Sequence, residues 1–141
     1  MGLLSKLFGV KSAQPSGLTA NIKNGPGTFE IDVVGESKYQ RNLAKIAGNK
    51  TEDSKRVVVD ALLFLEDDNP HDSNAVAVLV DDMKVGYLDR ATAKSFRRQL
   101  KKVEPPGQKI EAARCAGLIV GGWRDEDSEG HFGIKLDLPL G

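Results

Sequence analysis

Apolar and polar positions follow two rhythms along this chain, and their order predicts a fold. Phe29 to Val34 alternates as a strand does and stops at Gly35. Tyr39, Leu43 and Ile46 then share one helical face, and Gly48 offers a left-handed stop, so a short helix is expected over 38–47. Ser37 and Gln40 have the Ser-x-x-Gln spacing of a capping box at its start. Arg56 to Glu66 is rich in Val, Leu and Phe without helical spacing and predicts a mostly buried strand. A polar turn follows at 67–73. Asn74–Val80 predicts the next strand, Asp81-Asp82-Met83 a tight turn, and Lys84–Leu88 the hairpin partner. Gly86 inside that partner marks a bulge or the close approach of another backbone or a ligand.

Asp89 can cap a second helix whose seam is Ala93, Phe96, Leu100 and Val103, ended by Pro105-Pro106-Gly107. Lys109–Val120 and His131–Leu138 predict two closing strands around a polar loop at 121–130. Short connections imply antiparallel pairing. Two helices are too few to cover both faces of a sheet, so the fold class is α+β, mostly β, or a small barrel.

Lys11 to Gly27 lacks periodicity and mixes Ser, Asn, Gln, Gly and Pro, the composition of a flexible linker. The expected division is a flexible N-terminal tail over 1–27 and one folded domain over 28–141. Met1 to Phe8 is apolar but too short for a secretory signal, and Lys6 stands where myristoylation needs Ser or Thr. A loosely ordered tail is the favoured reading there, with a short amphipathic helix as the alternative.

Apolar residues make up 40% and charged residues 28%, which suits a globular domain, and no apolar run approaches the length of a membrane span. Stable membrane insertion is therefore not expected. The formal net charge is zero, so attraction to a polyanion must come from a local patch. Cys115 is the only cysteine, which excludes an internal disulfide and suits a reducing, cytoplasmic setting. It sits in an apolar run as a core thiol.

The familiar catalytic templates have no residues to act through. There is no phosphate-binding Gly-x-x-x-x-Gly-Lys-Ser/Thr loop and no Gly-x-Ser-x-Gly elbow. Asp67, Asp68, Asn69, Asp72, Asp81 and Asp82 could approach a divalent cation, but Pro70 interrupts the alternating-ligand pattern of a calcium loop. No metal and no cofactor are expected.

The turn around Asn69-Pro70-His71-Asp72-Ser73-Asn74 has two readings. In one, Asn69-Pro70 starts a turn and Asp72, Ser73 and Asn74 simply bond the local backbone. In the other, His71 offers a flat ring to a base, and Asp72 a carboxylate that only accepts hydrogen bonds. Such a group repels a phosphate and accepts from a hydroxyl, so it would mark a strand end. Nearby, Lys94, Arg97, Arg98, Lys101 and Lys102 have no acid among them, and a phosphate backbone is a natural partner for them. A merely solvated helix face accounts for them equally well.

Val34-Gly35, Tyr39-Gln40 and Leu43 are followed by Asn69-Pro70-x-Asp72-x-Asn74-Ala75-Val76-x-Val78 and Val85-Gly86-Tyr87-Leu88, with Ala91 and Ala93 after them. In this order they resemble the HIRAN family, over a stretch from about Asp32 through Asp137. The resemblance implies a compact OB-like antiparallel β-barrel with two helices. It also implies a nucleic-acid-binding module that looks for the 3′-hydroxyl end of single-stranded DNA, in DNA repair or replication-fork processing. Family members occur fused to large DNA-remodelling translocases and as small free-standing bacterial proteins, and this chain, without a motor, looks like the second kind.

Carried over by motif position, the resemblance implies that Asp72 meets the terminal hydroxyl and that His71 stands where the end-binding members carry a stacking aromatic. Tyr39 belongs to the pocket-forming aromatic pair, and Lys38 occupies the place of the other aromatic. Tyr87 and Arg90 fall near phosphate-contacting positions.

The reading is then a non-catalytic module for single-stranded DNA or DNA 3′ ends. Lys38, Tyr39, His71, Asp72, Tyr87, Arg90, Lys94, Arg97 and Arg98 would form its contact set. A DNA-processing protein is a further candidate partner. The alternatives are a protein-interaction module and a magnesium-dependent phosphodiester hydrolase.

Overall fold

A computed structural model describes residues 17–22 and 25–139. The tail helix considered for Met1 to Phe8 lies outside them. The elements in chain order are β1 (Leu18–Asn21), β2 (Ile31–Asp32), a 3-10 turn (Glu36–Tyr39) and α1 (Gln40–Ala47). Then come β3 (Lys55–Leu65), β4 (Val76–Val80), β5 (Met83–Tyr87), α2 (Arg90–Val103), β6 (Ile110–Gly121) and β7 (Phe132–Leu136).

One curled seven-stranded sheet runs in the order β2-β7-β6-β3-β4-β5, with β1 added to β6. The β3–β6 pair is its spine, antiparallel from Lys55 opposite Gly121 to Phe64 opposite Ala112. The curl brings the two ends of the order together. Val33 N–H donates to Ile134 O on β7 at 3.1 Å, and Val34 exchanges both backbone bonds with Tyr87 on β5, at 2.8 and 2.9 Å. The chain is thus mostly β with two helices, in a small OB-like α+β fold.

The β4–β5 hairpin turns through Asp81 and Asp82 at φ 51° and 63°. Positive φ at both central positions is the type I′ geometry whose twist matches its strands, and Asp tolerates it. Val78 pairs with Gly86 and Leu79 with Lys84, leaving Val85 as an extra residue in β5. Gly86, at φ 154°, faces the closing strand so closely that a Cβ there would lie 2.4 Å from Val33 Cγ1 and 2.7 Å from Val34 O. Both readings of this glycine, bulge and backbone approach, hold.

Leu43, Leu63, Val76, Val78, Val85, Ile119, Ile134 and Leu136 are the largest fully buried side chains. Ala93, Phe96 and Leu100 of α2 bury against them, and Asp89 caps α2 by accepting from Thr92 N–H at 2.8 Å. A second cluster of Leu62, Ala77, Leu79 and Ala112 lies on the other face of the sheet, with Phe64 and Tyr87 against it.

Five details differ from the sequence reading. The expected strand at 29–34 is regular only at Ile31–Asp32, because the Asp137 carboxylate draws in Gly27 N–H at 2.8 Å and Phe29 N–H at 3.3 Å and bends the backbone first. The segment expected to be linker contains β1, which pairs in parallel with β6 beside an otherwise antiparallel sheet. The capping box does not form: Gly35 stands at the N-cap, and the Gln40 amide crosses to β7, donating to Phe132 O at 2.9 Å and accepting from Phe132 N–H at 2.8 Å. Gly48 ends α1 at φ 93° and ψ 164°, positive but not left-handed helical. Val103 is 67% exposed, since it stands in the last turn of α2, beyond the edge of the core.

Candidate nucleic-acid interface

The polar turn between β3 and β4 is built by its own side chains. Asn69 Oδ1 accepts from the N–H groups of His71 and Asp72 at 2.8 and 3.1 Å, the Asx arrangement that Asn before Pro favours. Asp72 Oδ1 accepts from Asn74 N–H at 2.9 Å, and Ala75 N–H donates to Asp72 O at 3.0 Å. Of the three residues read as bonding the local backbone, Asp72 does so through one oxygen, no side-chain hydrogen bond of Ser73 or Asn74 is found among the described residues, and Asn69 makes the remaining side-chain bonds of the turn. The other oxygen of Asp72, Oδ2, stands 3.9 Å from Arg90 Nε. The Asp72 side chain is 26% exposed and that of Arg90 is 81% exposed.

Two other elements hold this turn in place. At its foot, Asn69 Nδ2 donates to Glu66 Oε1 at 2.9 Å, and Lys84 Nζ donates to Glu66 Oε2 at 2.7 Å. Lys84 also donates to the Tyr87 hydroxyl at 2.7 Å, and that hydroxyl donates to Glu66 Oε1 at 2.9 Å. Lys84 and Tyr87 are three apart in a strand and would normally face opposite sides; the extra residue Val85 restores them to one face.

Burial pushes the Glu66 carboxyl up, and the hydrogen bonds from Lys84, Asn69 and Tyr87 more than offset it, leaving it below its ordinary value. Burial likewise pulls the Lys84 ammonium down, but Glu66 and Tyr87 hold it up at about 12. The Tyr87 phenol is pushed up by burial and by the neighbouring Glu66.

At its far side the turn is gripped by α2. Arg97 donates through Nε to Asn74 O at 2.8 Å, through one terminal nitrogen to Ala75 O at 2.8 Å, and through the other to Asp67 Oδ1 at 2.7 Å. Lys109 pairs with the second oxygen of Asp67. Burial raises the Asp67 carboxyl, and the bonds from Lys109 and Arg97 bring it below the usual carboxylate range.

The structure brings part of the predicted set together. His71 is exposed beside Asp72, and Asp72 meets Arg90 at the start of α2. Lys38, exposed, and Tyr39, half-buried, end the 3-10 turn that leaves the Val34–Tyr87 bridge through Gly35. Tyr87 is a member of the Glu66 network, and its hydroxyl is already engaged there. Arg97 differs in geometry from the other cations of the predicted set: its side chain is 17% exposed and its donors are turned inward onto the turn. Glu66, Lys84 and the clamping role of Arg97 were missed because these contacts join separate elements. Asn69-Pro70, by contrast, carries a local turn signature.

Lys94 and Arg98 differ from Arg97. They are exposed, as are Lys101 and Lys102, and among the described residues no carboxylate lies within ion-pair distance of these four. At 3.6 residues per turn, Arg90, Lys94, Arg98, Lys101 and Lys102 fall within about a third of the helix circumference, opposite the buried seam, over about 18 Å. Zero net charge thus conceals a strongly segregated surface. Among the described residues no group of three or more His, Cys, Asp and Glu side chains is arranged to hold a metal ion, and no helix is long and apolar enough to cross a membrane.

Small OB-like barrels that carry a polar loop beside a cationic surface form a class of module that meets nucleic acid strands without needing a catalytic group. The HIRAN domain model matches residues 26–113, more than half of the chain, and the chain belongs to that family, one of DNA-binding modules. No curated protein matches the chain, and no solved structure does.

Proposed function

We propose that this domain holds the 3′-hydroxyl end of a single DNA strand and does no chemistry on it. The observation that carries this reading is the division of labour within one carboxylate. Asp72 Oδ1 is fixed by Asn74 N–H, while Oδ2 lies 3.9 Å from the Arg90 guanidinium on a side chain that is 26% exposed. An oxygen so held accepts from a sugar hydroxyl, and its charge disfavours a phosphate in the same place. Arg90, within reach of the same point, meets the last phosphodiester, and Lys38, Lys94 and Arg98 meet phosphates further along. His71 and Tyr39 offer rings to bases, each stack being worth about 1–3 kcal/mol. Tyr87 contributes through the Glu66 network, which fixes the foot of the turn.

The test compares oligonucleotides ending in 3′-hydroxyl and in 3′-phosphate, titrated in the presence of a chelator. The hydroxyl end should bind about tenfold more tightly, as suits one hydrogen bond to a charged group, and Asp72→Ala should abolish the difference. Equal binding of the two ends by the unaltered protein defeats the end-recognition reading. In a parallel incubation with magnesium in place of the chelator, cleavage of either oligonucleotide would replace it with the hydrolase.

A further inference from the structure

Sequence pattern places Arg97 among the phosphate-seeking cations of α2; its geometry places it elsewhere. Its three nitrogens have acceptors at 2.7–2.8 Å, two of them the carbonyls of Asn74 and Ala75 and the third Asp67. Asn74 is also the residue whose N–H holds Asp72 Oδ1. A chain of contacts therefore runs from Arg97 through the backbone of Asn74 to the Asp72 carboxylate. Its orientation leaves Oδ2 facing Arg90.

Arg90 and Arg97 belong to one helix, about two turns apart. The turn is thus gripped by Arg97 at Asp67, Asn74 and Ala75 while Asp72 Oδ2 faces Arg90. One rigid element carries the exposed Lys94 and Arg98, grips the turn, and so fixes the spacing between the phosphate-binding cations and the hydroxyl acceptor. Only a planar fork spans two carbonyls and a carboxylate at once. A lysine ammonium keeps the charge but does not span that set.

We propose that Arg97 is the positioning residue of this interface, acting through the turn to orient Asp72 and making no contact with DNA. This rests on the end-recognition reading above and adds to it a division between residues that attract the strand and one that sets the reading of its end.

The experiment uses the full chain and two readouts. The first is amide hydrogen exchange at Asn74 and Ala75 without DNA, in the unaltered protein, Arg97→Lys and Arg97→Gln. Both variants should exchange about tenfold faster at these amides, because charge without the fork does not hold the carbonyls. The second is the dependence of binding on salt for both end types. Each phosphate contact on a single strand contributes about 0.7 to the slope of log affinity against log salt. Arg97→Lys and Arg97→Gln should keep the wild-type slope and lose the preference for the hydroxyl end. Lys94→Gln combined with Arg98→Gln should keep the preference and lower the slope by about 1.4.

A slope lowered by Arg97→Gln and restored by Arg97→Lys would make Arg97 an ordinary phosphate contact and overturn the proposal. Unchanged exchange at Asn74 and Ala75 would overturn it too. Should either Arg97 variant fail to fold, Asp67→Asn loosens the same grip while keeping the guanidinium, and the same two readouts decide. If the unaltered protein shows no end preference, the end-recognition reading falls by itself, and the exchange rates still decide whether Arg97 holds the turn.

Discussion

Lys84 Nζ lies 2.7 Å from Glu66 Oε2, joining the β5 strand to the foot of the polar turn across an 18-residue separation in sequence. Both partners keep some exposure, with side chains 31% and 18% accessible, so solvent screens the pair without removing it.

This pair sets a pH signature. Glu66 has a folded-state value below its ordinary 4.5, so its contribution to stability is complete above that value and is lost as pH falls through the lowered one. Lys84 is raised from 10.5 to about 12, so its contribution is complete below 10.5 and is lost as pH rises toward about 12. Lys84→Met should cost about 1–2 kcal/mol at neutral pH. It should also flatten the fall in stability as pH drops below 4.5, measured as urea midpoints across the pH range.

Gly86→Ala should be among the most damaging single changes. The added methyl would lie 2.4 Å from Val33 Cγ1 and 2.7 Å from Val34 O, at a φ that favours glycine. Relief requires the Val34–Tyr87 bridge to open, the contact that closes the barrel. A loss of about 2–4 kcal/mol in chemical denaturation is expected.

Asp137→Ala should release the N-terminal arm before it unfolds the domain. Asp137 is the one buried charged residue among those described, and its two oxygens take Gly27 N–H at 2.8 and 3.0 Å. Removing the carboxylate leaves those donors without a partner, at a cost of about 1–3 kcal/mol. Limited proteolysis should then cut between β1 and β2 in the variant under conditions that leave the unaltered protein intact.

Cys115 should be chemically silent in the native state. It is 3% exposed, and burial, with the charges of Asp60 and Asp137 adding to it, pushes its thiol up to about 12. Almost no thiolate exists near pH 8. Alkylation monitored by mass should proceed only at the rate at which the β3–β6 region opens, and should accelerate steeply through the urea transition.

Most of the scaffold could be read from local patterns. The two-residue Asp81-Asp82 turn, the Asp89 cap and the apolar seam Ala93, Phe96 and Leu100 are encoded within a few residues, and the structure contains all three. Parts of the candidate interface with a local signature were likewise visible in the sequence, such as Asn69-Pro70 and the cation run of α2. Contacts between distant segments were not. Gln40 carries a capping spacing, yet Phe132, 92 positions away, offers its amide a backbone donor and acceptor together. Arg97 looks like its neighbours in sequence, and only the packing of α2 against the turn distinguishes it from Arg98. β1 escaped notice because Leu-Thr-Ala-Asn is too short to show a period and takes its order from the exposed edge of β6.

The family match ends at Ala113, inside β6, which continues to Gly121. Cutting the protein at the matched limits would strip β3 of its neighbour from Lys55 to Leu62 and discard β7 altogether. The hydrophobic row Val57, Val59 and Ala61 would then border an open ladder of unpaired amides, an invitation to pair with other molecules. For this chain the portable unit is set by hydrogen-bonded strand partners and not by the extent of detectable kinship, so a truncated fragment should clump where the longer one stays dispersed.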